Sequence, residues 1–232
     1  MHHSPVRAVN TGVNMKRGFQ TKSPSSTPEM IANALRQAII QGKYRGGEPL
    51  RQDEVASEFG VSKIPVREAL YQLKAEGLVT FIPNRGSVVS ELSIEEVDEI
   101  YLMRMALEPT ILQRAIPTLT PTDFIRARGL LDVMDETDDP AGLAELNWEF
   151  HATLYGAANL NRLMESIRVL HTNSARYMAI YLGGEDRNKT SQQEHRNLLQ
   201  ACTERDLQRS CALLVEHLET AKHHLLGILR QA

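Results

Sequence analysis

The sequence predicts a mainly α-helical chain in two parts, in which three short helices and a β-hairpin precede an all-α bundle of antiparallel helices. Apolar residues recur at helical spacing in most segments after residue 26, whereas the alternation typical of strands is confined to residues 78–90. Gly, Pro and Asn residues separate the segments. A chain of 232 residues, 42% of them hydrophobic, can bury the core of one large domain or two modest ones.

The first residues predict no regular structure. Residues 1–26 are rich in Ser, Thr, Pro, Asn and Lys and lack periodicity, which indicates a flexible N-terminal arm. Thr27 and Pro28 have the pattern of an N-cap and a first helical residue, and the apolar spacing then predicts a helix that ends near Gly42.

Two more helices and a hairpin are expected next. The helices cover about 52–59 and 62–76, and each is ended by a glycine. In residues 78–90, two short apolar runs flank a turn at 83–86, which is the pattern of a hairpin. Helix, helix, turn, helix and hairpin is the order of a winged helix-turn-helix, here over residues 27–90.

Six helices are predicted after residue 92, with no strand among them. They run from Ser93 to about Ala115, from Thr120 to about Asp135, from Asp139 through His151, and over about 161–182, 190–202 and 206–230. Short connections between them predict an antiparallel bundle over residues 93–232.

The location predicted from composition is the cytoplasm. The sequence has no apolar run long enough to span a bilayer and no secretory signal at its N-terminus, so we expect no membrane partner. Its two cysteines, Cys202 and Cys211, form no metal-binding or redox motif, which favours a reducing compartment.

Charge is distributed unevenly along the chain. Residues 1–90 hold 12 Lys and Arg against 7 Asp and Glu, while the remainder holds 14 against 22. A basic front half suggests contact with a polyanion, although chance segregation of solvated charges gives the same pattern.

The second helix of the helix-turn-helix carries candidate DNA contacts. Lys63 and Arg67 lie four residues apart near its start, where a recognition helix meets the major groove. Arg67 can form two parallel bonds to a guanine, whereas Ser62 and Lys63 suit phosphates. Arg85 and Gly86 at the hairpin tip can reach the adjacent minor groove. The alternative is a solvated helix face on a protein-interaction module.

Residues 60–79 read GVSKIPVREALYQLKAEGLV, and residues 83–89 read PNRGSVV. Together they resemble the DNA-binding domain of GntR-type transcriptional regulators. The resemblance implies that Lys63, Arg67 and the wing tip contact an operator. Some members of that family also use an Arg near the start of the first helix of the motif; Asp53 stands at that position here, and Arg51, two residues earlier, is the candidate instead.

The helical part resembles the FCD effector domain of the FadR-type branch of these regulators. The motifs that carry this resemblance are Arg104 and Glu108 in IYLMRMALEPTIL (100–112), LNWEFHATL (146–154), QEHRNLLQA (193–201) and EHLETA (216–221). In many proteins with this pattern one acidic or amide residue and three histidines bind a divalent metal ion. The positions map onto Asn147, His151, His195 and His217.

Such a ligand set has a definite chemistry. Three imidazoles and one oxygen suit Zn or Ni and leave positions open for a small carboxylate. Arg104 could hold that carboxylate in a fork, with His171 and Arg176 as further candidates for effector binding. Asn147 stands where Asp is commoner, which removes one negative charge and favours a weaker metal site. The alternative is three structural histidines at the edge of the core.

Three functions remain open on the sequence. The first is a homodimeric regulator, a repressor, that binds a near-palindromic double-stranded DNA operator and responds to a small carboxylate. The second is a constitutive DNA-binding dimer with a purely structural bundle and no metal. The third, a metal-dependent enzyme with a DNA-binding appendage, lacks an evident general base, because Glu149 lies off the face of His151; we therefore expect no enzyme activity.

Overall fold

The structure is a computed structural model that describes residues 26–182 and 185–230. Within these ranges, the side chains at 140, 141, 175, 176, 178–182 and 185–188 lie outside the description. The predicted N-terminal arm, apart from Ser26, also lies outside it.

The first part of the chain folds as the sequence predicts. It consists of α1 (Thr27–Ile40), α2 (Gln52–Phe59), α3 (Lys63–Ala75), β1 (Val79–Ile82) and β2 (Gly86–Val89). The N-cap of α1 is Ser26 rather than Thr27, because the Ser26 hydroxyl accepts the bond from the Glu29 amide. Gly60 ends α2 in the left-handed conformation at φ +64°, which a glycine adopts without strain. Leu35, Leu70 and Leu73 pack in the core that the three helices share.

The wing is an antiparallel hairpin with an additional short pairing. Val79 lies opposite Val89, and Ile82 lies opposite Gly86. The segment before α2, expected only as a turn, also pairs with β2, since the Leu50 amide donates to the Ser87 carbonyl at 2.8 Å. The start of α2 is thereby fixed beside the wing.

The second part is all-α within the described residues. It consists of α4 (Ile94–Ala115), a 3₁₀ turn (Ile116–Thr118), α5 (Pro121–Asp135), α6 (Pro140–Gly156), α7 (Asn161–Leu182), α8 (Glu185–Thr203) and α9 (Leu207–Leu229). Helices α4 and α5 begin directly after Ser93 and Thr120, where the sequence predicts their starts, and each of these residues forms a capping box. Helix α8 begins at Glu185, whereas the sequence predicted a start near residue 190. The prediction was late because the first residues of the helix are polar and show no apolar spacing. In the described part of the chain, no helix is long and apolar enough to cross a membrane.

Helix α4 is the central element of the bundle. It packs against α6, α7 and α9, while α5 packs against α6 and α8. Large side chains such as Tyr101, Phe150 and Tyr155 are fully buried between these helices. The same interior also holds buried polar and charged residues, which are Arg104, Glu108, Asn147, His151, His171, His195 and His217. Burying polar groups costs free energy unless each group has a partner, so this cluster in an apolar interior indicates a functional site.

Helix α7 connects the two parts of the molecule. The Tyr177 hydroxyl accepts a hydrogen bond from the Leu92 amide, in the segment between wing and bundle, at 3.2 Å. The Asn173 side chain lies so close to Gly77, at the end of α3, that a Cβ on Gly77 would come within 2.6 Å of the Asn173 Oδ1 atom. The DNA-binding part therefore rests directly on α7.

Candidate functional site

The predicted DNA contacts lie together on one exposed surface. Helix α3 buries Val66, Leu70 and Leu73 and turns Lys63 and Arg67 outward. The predicted DNA-binding residues are all exposed, and they are Arg51, Ser62, Lys63, Arg67, Arg85 and Gly86. Within the described residues, the Ser62 side chain forms no capping hydrogen bond, which leaves its hydroxyl available to a phosphate.

A groove of about 470 Å³ lies between the starts of α2 and α3 and the wing tip. Its lining residues are Leu50, Arg51, Gln52, Asp53, Glu54, Lys63, Arg85, Gly86 and Ser87. Two cations in it are paired: Lys63 with Asp53, and Arg51 with Glu54 at 3.3 Å. The groove combines a basic lining with two acidic residues.

Ile64 is a further candidate DNA contact on this surface, and the sequence analysis did not identify it. The side chain of Ile64 is 63% exposed on α3, directly after Lys63. An exposed apolar side chain on a recognition helix can contact the methyl group of thymine. The available signal was its position outside the inner apolar face of the helix.

The second candidate site lies inside the bundle. His151 on α6, His195 on α8 and His217 on α9 are all buried, and one ring nitrogen of each lies within 4.8 Å of the others. The ring centroids of His195 and His217 are 4.6 Å apart, and those of His151 and His195 are 5.2 Å apart. The fold thus brings together three residues separated by 44 and 22 positions in the sequence.

The orientation of His151 follows from a hydrogen-bonded chain. The Tyr155 hydroxyl donates its single proton to Glu108 Oε2 at 2.7 Å. The same hydroxyl lies 3.2 Å from His151 Nδ1, so it must accept the Nδ1 proton. Nε2 of His151 therefore carries the lone pair, and it has no hydrogen-bond partner among the described residues.

The other two histidines are oriented in the same way. Gln192 donates its amide to the Leu131 carbonyl and to Asp135, which turns its oxygen toward His195 Nδ1 at 3.2 Å. His217 Nδ1 lies 2.7 Å from a carboxylate oxygen of Glu194. Since both acceptors require a donor, each Nδ1 carries the proton and each Nε2 can bind a metal ion.

Asn147 lies one helical turn before His151. Its amide nitrogen donates to His171 Nε2 at 3.2 Å, and its buried Oδ1 has no partner in the part of the chain that the structure describes. Unpaired atoms in an interior are costly unless a ligand satisfies them. Asn147 Oδ1 and the Nε2 atoms of His151 and His195 share this property, which is the donor set that a Zn or Ni ion accepts.

Burial keeps the imidazoles of His151, His171 and His195 neutral. Burial lowers the pKa of His151, His171 and His195 well below the usual range, and the neighbouring histidines lower the pKa of His151 further. A metal ligand must be an unprotonated imidazole. His151 and His195 are therefore ready to accept a cation at neutral pH.

Arg104, a predicted effector contact, is engaged inside the bundle. Its Nε donates to Glu108 Oε1 at 2.6 Å, and both side chains are almost fully buried. Burial alone would lower the pKa of the Arg104 guanidinium, but the adjacent Glu108 carboxylate raises it above the usual value. His171 packs against Trp148, with ring centroids 5.0 Å apart. The side chain of Arg176 lies outside the described residues.

Three positioning residues were missed by sequence reasoning. Tyr155, Gln192 and Glu194 each orient one histidine, as described above. Helical spacing could have found Tyr155 and Gln192, which lie four and three positions from their histidines. Glu194 precedes His195 but bonds His217, because adjacent residues on α8 point in different directions.

Two family profiles match the chain. The profile described as bacterial regulatory proteins, gntR family, matches residues 27–89. The FCD domain profile matches residues 99–220, which is more than half of the chain.

Curated relatives and a solved structure agree with these matches. The chain is 30% identical over 156 residues to the HTH-type transcriptional repressor RspR of Escherichia coli, covering 65% of this chain and 68% of that protein. It is 24% identical over 220 residues to the HTH-type regulator YdhC of Bacillus subtilis, covering 92% and 97%. A transcriptional regulator GntR from a Rhodococcus species has the same fold, with a TM-score of 0.77 at 25% identity, covering 88% of this chain and 99% of that one.

Proposed function

Because the chain belongs to the GntR family of bacterial regulatory proteins and carries their FCD domain, it is a DNA-binding transcriptional regulator, and we propose that it is an effector-controlled repressor. In this proposal, a small organic acid bound beside a divalent metal ion in the bundle modulates operator affinity. The observation that carries the proposal is the convergence of three buried histidines whose Nδ1 atoms are all engaged. The family and the names of its relatives are those of regulators, not of enzymes.

The exposed surface of the winged helix supports the DNA half of the proposal. Arg67 would read a guanine, Ile64 a thymine methyl group, and Ser62 and Lys63 would hold phosphates. Arg85 and Gly86 at the wing tip would enter the minor groove. The groove of about 470 Å³ beside them is lined by Arg51, Lys63 and Arg85, which could meet phosphates of the DNA backbone.

The buried histidines support the metal half. FCD domains are known to bind metal ions, and His151, His195 and His217 with Asn147 Oδ1 would hold one here. A bound divalent ion would offer open coordination positions to a carboxylate. Arg104 would contribute to acid binding only by exchanging its buried Glu108 partner for the carboxylate of the acid, since the two side chains form an ion pair in the structure.

Repression is favoured by the curated relatives. RspR, which shares 30% identity, is named a repressor. A repressor releases its operator when the effector favours a conformation that no longer fits the DNA. We therefore expect the acid to weaken operator binding.

The test begins with operator fragments selected in vitro from genomic DNA by the purified full-length protein. Affinity is then measured with Zn²⁺, with a chelator, and with Zn²⁺ plus a panel of small mono- and dicarboxylic acids. We expect at least one acid to weaken binding in the Zn²⁺-loaded protein and to have no effect on His195→Ala. The variant His223→Ala, which changes an exposed histidine on the same bundle, is the control. Affinity that ignores the metal and every acid would favour a constitutive DNA-binding protein.

Two copies of the chain are needed to read a near-palindromic operator. We propose a homodimer formed through α5, where Ile125 and Val133 are 74% and 52% exposed on either side of Gly129. These three residues share one helix face, and the glycine allows close approach of a second helix. Sedimentation analysis should show a dimer that dissociates in Ile125→Asp but not in Leu160→Asp, an exposed position between α6 and α7. A dimer that survives Ile125→Asp would exclude this face.

A further inference from the structure

Asp53 places a negative charge on the DNA-facing surface. It lies in the first turn of α2, and its side chain is 73% exposed in the groove between α2, α3 and the wing tip. Its carboxylate pairs with the Lys63 ammonium, the first residue of the recognition helix. A DNA backbone in this groove would meet an acid beside one of its cations.

The cations of this surface fall into two groups. Lys63, which suits a phosphate, is paired with Asp53, and Arg51 is paired with Glu54. Arg67, the candidate for base reading, makes no ion pair within the described residues. Lys63, the cation suited to a phosphate, is therefore neutralised by the protein itself, whereas Arg67 is not.

We propose that Asp53 competes with DNA phosphates for Lys63 and thereby lowers the affinity of the protein for DNA of arbitrary sequence. This inference rests on the proposed phosphate contact of Lys63. Phosphate contacts supply the sequence-independent part of binding, whereas base contacts supply discrimination. Weakening the former leaves a larger share of the binding free energy to Arg67 and its neighbours.

Salt dependence measures this competition directly. Each phosphate that a protein neutralises steepens the log–log dependence of affinity on salt by about 0.9. Removing the Asp53 charge frees Lys63 for one more phosphate. The ratio of affinities at about 50 and about 200 mM salt should then rise by about 3.5-fold.

The experiment uses the full-length protein and a fluorescent DNA duplex of random sequence. Affinity is measured by anisotropy over that salt range for the wild type, Asp53→Asn, Lys63→Gln and the double variant. The matched control is Asp98→Asn, which removes one acid from an ion pair with Lys222 in the bundle, at 2.7 Å, and changes the net charge equally. Circular dichroism melts check that every variant is folded, as expected because an exposed ion pair contributes little to stability.

We expect Asp53→Asn to bind more tightly than the wild type and to show the steeper salt dependence, with both effects absent from Asp98→Asn and from the Lys63→Gln background. An unchanged affinity in Asp53→Asn overturns the inference. An effect that persists with Lys63→Gln replaces competition by direct repulsion of DNA. Weaker binding would mean that Asp53 itself accepts a hydrogen bond from DNA, for example from a cytosine amino group. A wild type that binds no duplex contradicts the proposed function instead.

Discussion

His151 receives its orientation through a tyrosine hydroxyl rather than directly from a carboxylate. The buried chain runs from Arg104 through Glu108 and Tyr155 to His151 Nδ1. Arg104 balances the charge of Glu108. Because the Tyr155 hydroxyl donates its proton to Glu108, it can only accept a hydrogen bond from the His151 imidazole. A partner of this kind fixes both the tautomer and the ring orientation of a metal ligand.

Removing that hydroxyl should weaken metal binding without unfolding the protein. In Tyr155→Phe, His151 loses its Nδ1 acceptor, and we expect Zn²⁺ affinity to fall by about 10- to 100-fold. Competition with a chromophoric chelator measures the change. The control Tyr177→Phe removes a hydroxyl that bonds the Leu92 amide, outside the cluster, and should leave affinity unchanged. Equal Zn²⁺ affinity in Tyr155→Phe and the wild type would show that the hydroxyl does not position His151.

The buried histidines also predict how stability depends on pH. The folded-state pKa of His151, His171 and His195 lies below the unfolded value of about 6.5, so the unfolded state binds protons first as the pH falls. The stability present above about pH 6.5 is therefore lost below it, by up to about 1.4 kcal/mol per pH unit for each histidine. Urea denaturation of the chelator-treated protein at about pH 5 to 8 measures this. A free energy of unfolding that stays constant over that interval would contradict the prediction.

The sequence predicts the histidines of the cluster but not the groups that hold them. Motif resemblance identifies His151, His195 and His217 because histidine is distinctive at those positions. Tyr155 and Gln192 lie at helical spacing from their histidines, but their residue types are ordinary in amphipathic helices, and only the packed bundle shows that each bonds a ring nitrogen. The Glu194–His217 contact joins two helices, so no local spacing announces it.

Helix α7 is the element that contacts both sites. Its His171 accepts from Asn147 in the cluster, and two residues later Asn173 packs against Gly77 at the end of the recognition helix. A shift of α7 would be felt by both parts of the molecule. This contact would link the proposed effector site to the winged helix.

The contact can be tested at Gly77. Its φ of +77° strains any other residue, and an added Cβ would lie 2.6 Å from the Asn173 Oδ1 atom. We expect Gly77→Ala to lower the free energy of unfolding by about 1–3 kcal/mol. In an Asn173→Ala background the same change should cost about 1 kcal/mol less, because only the backbone strain remains. Strictly additive effects in urea denaturation would show that the two residues do not interact.

The elements themselves were largely predictable because their ends carry local signals. Ser93 and Thr120 cap α4 and α5, and glycines follow α2 and α3. The spacing of apolar residues gives no signal where a helix begins with polar residues. For this reason the sequence placed the start of α8 near residue 190, whereas the helix begins at Glu185. The pairing of Leu50 with β2 depends on a contact between distant segments and gave no signal in the sequence.

At the scale of the whole molecule, the proposed DNA-binding surface and the histidine cluster differ in their exposure to solvent. The predicted DNA-binding residues are exposed and include four cations, Arg51, Lys63, Arg67 and Arg85, whereas the histidine cluster is buried. The uneven charge of the chain does not follow this division closely, since residues 1–25 hold 4 Lys and Arg and no Asp or Glu, whereas residues 26–90 hold 8 Lys and Arg against 7 Asp and Glu. A regulator of this kind needs the two regions to be distinct and physically connected, and α7 meets the second requirement.

The metal content of the purified protein tests the central claim most directly. After exposure to Zn²⁺ or Ni²⁺ and removal of the excess, native mass spectrometry should find about one divalent ion per chain in the wild type and in His223→Ala. His195→Ala should hold none, because it removes one of the three imidazoles whose ring nitrogens lie close together. A wild type that remains empty, or a His195→Ala variant that retains the ion, would contradict the assignment of this cluster as a metal site.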